Sequence, residues 1–138
     1  MSLKKILRMA IIFDWFTTIL YVVVSEILES SLPSQLQDYL KWEANKELTI
    51  TENLIFIPVI LLLVVYLISS IGLFLYKPWA KQIYIVVAFL LVALVPFAGP
   101  TVDHALTSTI GEINNINFGF IFTLLIFTNA YKTDEIDA

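Results

Sequence analysis

Apolar residues fill four long stretches of this chain, at residues 6–28, 53–76, 80–98 and 110–131. At a rise of about 1.5 Å per residue, helices of roughly 19–24 residues cross the ~30 Å hydrocarbon layer of a bilayer. Each stretch is too long and too continuously apolar for a barrel strand, so the pattern predicts transmembrane α-helices. Two of the stretches carry polar stripes at helical spacing. Asp14, Thr18, Tyr21 and Ser25 recur at i, i+4, i+7 and i+11, which places them on one face. Ser108, Glu112, Asn115, Gly119 and Thr123 repeat the arrangement in the fourth stretch. Polar groups in hydrocarbon are costly and turn toward a bundle interior, a cavity or a partner, so these stripes are the candidate functional residues.

Between the apolar stretches lie two outer loops, at 29–52 and 99–109, and one tight connection, Tyr76-Lys77-Pro78-Trp79-Ala80-Lys81. The connection is short enough to make the second and third helices an antiparallel hairpin, with its aromatics at the membrane interface. In the first outer loop, Ser31 and Pro33 precede Leu36, Tyr39, Leu40 and Glu43 at helical spacing. That spacing predicts a short helix lying on the outer surface; the competing reading is a polar loop with anchoring aromatics. Gly99, Pro100 and Asp103 mark the second outer loop as turn-rich.

Basic residues fix the expected orientation. Lys4, Lys5, Arg8, Lys77, Lys81 and Lys132 fall on one side, and Lys41 and Lys46 on the other. The positive-inside rule then sets both termini in the cytoplasm. The Lys-rich start resembles a signal peptide, yet Asp14 interrupts the apolar run and no small-residue cleavage site follows, so an uncleaved first helix is expected. The architecture predicted is an all-α integral membrane domain over residues 1–138, a four-helix bundle with both ends inside, placed in a bacterial inner membrane.

Composition agrees. The chain is 59% hydrophobic and only 14% charged, with a mean hydropathy of +0.85, where a soluble domain carries roughly a quarter charged residues. A net charge of −4 without a clustered basic face argues against a nucleic-acid partner. With no cysteine and one histidine, thiolate and multi-histidine metal centres are ruled out, and no cofactor is expected. His104 beside Asp103 reads as a solvated loop residue. Glycine phosphate loops, HExxH and GxSxG are all missing, so catalysis is not favoured.

Depth estimates place Asp14 about 12 Å past the inner end of its helix. Tyr66, Ser69, Ser70 and Tyr84 lie at a comparable level, and Lys81 lies within reach, so these five are its expected partners. Asp14 reads either as a protonatable or ion-binding site or as an interhelical anchor. In the fourth helix, Glu112 and Asn115 share one face, while Asn114 and Asn117 lie on roughly the opposite one. Such a helix must meet neighbours on two sides, line a wet vestibule, or rise partly out of the hydrocarbon. The expectation is that Asn115 and Asn117 are embedded and that Tyr21 and Ser25, with Glu26, pair the first helix with the fourth. Asp14 and Glu112 are ~12–18 Å apart along the membrane normal, too far for a carboxylate pair.

Two functions follow as expectations. One is a non-enzymatic membrane protein that acts through a protein partner or self-assembly, such as an accessory subunit or an immunity-type protein. The other is a small proton- or ion-coupled transporter or channel using Asp14 and Glu112.

Overall fold

The computed structural model describes residues 2–47, 50–97 and 102–131, with the side chains of 50–53 and 55 left aside. The expected Gly99–Pro100 turn and Lys132 lie outside the described residues. Five α-helices follow in order: α1 (Leu3–Glu29), α2 (Ser34–Asn45), α3 (Ile50–Phe74), α4 (Ala80–Leu94) and α5 (Ala105–Phe127). Four of them are long and apolar enough to cross a membrane: Leu3–Glu29, Phe56–Phe74, Ala80–Phe97 and Ala105–Phe127. The all-helical architecture expected from the apolar pattern is therefore present, with no strand among the described residues.

The ends of the helices have local causes. Ser2 caps α1 by accepting the Lys5 backbone N–H. Pro96 cannot continue an α-helix, and the end of α4 tightens into a 3₁₀ turn at Val95–Phe97. Helix α5 starts five residues before the apolar run because His104 caps it, its Nδ1 accepting the Leu106 N–H at 3.2 Å. It ends at Phe127 rather than at 131, where Thr128 turns extended. At the end of α3, Tyr76 N–H bonds to Leu73 O and Lys77 N–H to Gly72 O, with Tyr76 at φ 54. This is a Schellman closure with a tyrosine at the position that glycine usually takes.

The helices associate as two antiparallel pairs, α1 with α5 and α3 with α4. The tight turn at Lys77–Trp79 makes the second pair, as expected. Gly72 makes its close approach possible: a Cβ there would lie 2.7 Å from both the Ala80 Cβ and the Trp79 ring. The two pairs meet in a shared core of Leu7, Ala10, Ile11, Leu73, Ala80, Tyr84, Ile121, Leu124 and Leu125. That core lies in the half of the molecule holding the basic residues of α1. A clasp closes the same end: Arg8 Nε donates to Phe74 O at 3.2 Å, its guanidinium lying 4.7 Å from the Tyr76 ring centre. Tyr76 donates to Lys4 O and Tyr131 to Lys77 O.

Candidate functional site

Asp14 sits at the level where the shared core ends. Its neighbours on α1 explain its burial, because Leu7, Ala10, Ile11, Asp14 and Thr17 form the one face of that helix turned to the protein. Only 3% of Asp14 is exposed. Tyr66 of α3 donates to its Oδ2 at 3.2 Å, and the Tyr84 hydroxyl of α4 lies 3.1 Å from that of Tyr66. Since the Tyr66 proton is used on the carboxylate, Tyr84 donates to Tyr66, and a relay Tyr84–Tyr66–Asp14 crosses three helices. Asp14 Oδ1 is buried and has no hydrogen-bond donor.

The remaining partners expected for Asp14 are placed otherwise. Ser70 accepts the Trp15 indole N–H at 2.8 Å, and Ser69 donates to Tyr66 O within its own helix. Tyr84 acts through Tyr66. No hydrogen bond or ion pair joins Lys81 to Asp14 among the described residues.

The seam between α1 and α5 is polar. Thr17 donates to Asn114 Oδ1 at 2.6 Å, Asn114 Nδ2 donates to Thr18 Oγ1 at 3.3 Å, and Asn117 Nδ2 donates to Ala10 O at 3.0 Å. Tyr21 reaches Asp103 Oδ1 at 3.1 Å. The first and last membrane helices thus pair, through Thr17, Thr18, Tyr21, Asn114 and Asn117. Thr17 went unnoticed in the sequence because alternating steps of three and four fit either Asp14–Thr17 or Asp14–Thr18.

Asn117 is buried within the bundle. The second stripe does not face inward. Ser108, Glu112, Asn115, Gly119 and Thr123 are all exposed, on the side of α5 opposite Thr107, Ile110, Asn117, Ile121 and Leu124. Asn115 alone among them borders the cleft described next. The physical reason is that α5 has polar groups on two faces and the threonines of α1 satisfy only one. Ser25, half-buried, sits at the end of the bundle away from the clasp, with Glu29, Asp103, His104 and the buried Thr107.

Beyond Asp14, away from the clasp, the two helix pairs diverge. The cleft between them has a volume of about 440 Å³ and is bounded by Val59, Leu63, Leu91 and Val92, with Asp14, Tyr66, Asn115 and Phe118 among its lining. A second hollow of about 470 Å³ lies on the other side of Asp14, against Trp15, Leu63, Leu67 and Ile71. Among the described residues no group of three or more histidines or carboxylates is placed to hold a metal ion. Comparison with protein-family models, with curated proteins and with solved structures gives no match.

Proposed function

We propose that this chain is a non-enzymatic integral membrane protein that works by associating within the bilayer, with a protein partner or with copies of itself, through the outward face of α5. The observation that carries the reading is the exposed row Ser108, Glu112, Asn115, Gly119 and Thr123. A carboxylate and a hydroxyl, Glu112 and Ser108, on a face turned toward acyl chains are unfavourable, and a neighbouring helix relieves that penalty. Gly119 adds a place for close backbone approach, since nothing lies within 4 Å of a Cβ built there.

Reconstitution in nanodiscs followed by native mass spectrometry tests this. Wild type is expected to carry a second copy or a copurifying membrane protein, and Gly119→Leu, whose Cβ has no neighbour within 4 Å, is expected to release it. A wild-type chain found alone, or a Gly119→Leu variant that associates as before, ends the reading.

The proposed location is a bacterial inner membrane with both termini inside, supported by six of the eight basic residues falling on one side. Helix α2 is proposed to lie on the outer surface. It buries no residue and stacks Tyr39 on Trp42 at 5.9 Å, a pair suited to an interfacial belt. The cysteine-free sequence allows single cysteines at Lys46 and Lys77 to report the topology. An impermeant maleimide added to intact cells is expected to label the first and spare the second. A transport role using both carboxylates has less support, because Glu112 does not line the cleft that Asp14 does.

A further inference from the structure

Beyond association through α5, we propose that the cleft at Asp14 is a binding site for a monocationic amphiphile: an apolar, preferably aromatic body carrying one protonated amine. Four observations converge on it. First, Asp14 is almost wholly buried, with one oxygen held by Tyr66 and the other lacking a donor in hydrogen-bond geometry, the Asn117 amide being close enough only to influence the carboxyl. Second, the carboxyl lacks a cationic neighbour among the described residues. Arg8, about two turns away on the same helix, is committed to Phe74 O and the rings of Phe74 and Tyr76. A carboxylate in a medium of low dielectric is strongly disfavoured unless paired, so an arriving ammonium supplies what the fold leaves out.

Third, the space suits a small organic molecule. Hollows of about 440 and 470 Å³ flank the carboxylate, within the range of ligand pockets. Their walls are chiefly leucine, isoleucine and valine, which fits an apolar body delivered from the bilayer and not a hydrated metal ion. Fourth, the rings of Tyr66 and Phe118, 6.4 Å apart, both line the 440 Å³ cleft beside the carboxylate. Aromatic faces attract organic cations, more strongly when water is excluded. A carboxylate with aromatic neighbours in an apolar cleft selects against neutral and anionic amphiphiles of the same shape.

The test uses full-length protein in nanodiscs and two matched probes, naphthylmethylamine and its uncharged counterpart naphthalenemethanol, with binding read by calorimetry. Wild type is expected to bind the amine saturably and roughly tenfold or more tighter than the alcohol. Asp14→Asn is expected to erase that difference. Leu63→Trp leaves every Asp14 hydrogen bond in place but narrows the site with a bulkier ring, because Leu63 lines both hollows. It is expected to weaken amine binding by a similar factor. Absence of saturable amine binding to wild type overturns the proposal, as does equal affinity for the two probes or unchanged amine binding in Leu63→Trp. These readouts do not depend on whether Gly119→Leu releases a partner, so the two readings stand or fall separately.

Discussion

The Thr17 hydroxyl donates to the Asn114 side-chain oxygen at 2.6 Å across 97 residues of sequence, and so joins the first long apolar helix to the last. Asn114 passes the interaction back by donating to Thr18. Thr17→Val keeps the side-chain shape and removes the donor. Polar contacts between membrane helices average about 0.6 kcal/mol and reach about 1.7 kcal/mol. Thr17→Val is therefore expected to lower stability within that range, measured by thermal unfolding in mild detergent. Combining it with Asn114→Leu should cost less than the sum of the two single changes.

Gly72 and Gly119 offer a paired prediction from opposite surroundings. A Cβ at Gly72 would press on Ala80 and Trp79, so Gly72→Ala forces α3 from α4 at an expected loss of about 1–3 kcal/mol. Gly119→Ala meets open space, and its removal of a helix glycine is expected to be neutral or stabilising by up to about 1 kcal/mol. Melting temperatures of the two variants in the same detergent should move in different directions or differ clearly in size.

Tyr66 stands between Asp14 and Tyr84, and its hydroxyl serves both. Tyr66→Phe removes the donor to Oδ2 of the buried Asp14 and leaves Tyr84 with no acceptor. The expected loss is about 1–3 kcal/mol, the usual range for stranding a buried polar group. Tyr66→Phe made in an Asp14→Leu background should be much milder, because the carboxylate is then absent. An additive double variant in the same unfolding assay would contradict this relay.

At the clasp, burial, and to a smaller degree the neighbouring Tyr76, push the Tyr131 hydroxyl up to about 12. An unfolded tyrosine titrates near 10. The protonated form is therefore the one favoured by folding, and its contribution is complete below about pH 10 and lost as pH rises through about 12. Tyr131→Phe removes both the titration and the bond to Lys77 O. The stability gap between wild type and this variant should be constant from neutral pH to about 10 and close above it, as followed by unfolding at a series of pH values.

How much of this was legible beforehand depends on what each residue type can signal. Long apolar runs announce spanning helices because length and hydropathy are enough, and Lys77-Pro78-Trp79 marks its own turn. The ends were less legible: the run at 110–131 hid a start at Ala105, since a histidine cap and three early hydroxyl residues have no hydropathic signature. Asp14 was legible as a buried group because a carboxylate has few alternatives in hydrocarbon. The inward face of α5 was not. In a membrane, leucine facing lipid and leucine facing protein look alike, so Ile110, Ile121 and Leu124 gave no hint of direction. The polar residues alone had to choose between Asn115 and Asn114, and they occupy both sides of the helix.

Because most contacts joining the two helix pairs lie between the clasp and the Tyr66–Asp14 level, with the Phe89–Phe122 ring contact just beyond it, the molecule is jointed toward one end like a pair of tongs. Past that joint α3 extends some 15 residues and α4 some 10, or ~15–20 Å. A tilt of a few degrees, set by repacking around Leu7 or Leu125, becomes an ångström or two of travel at the tips. Small changes at the pivot are thereby geared into the gap between the arms.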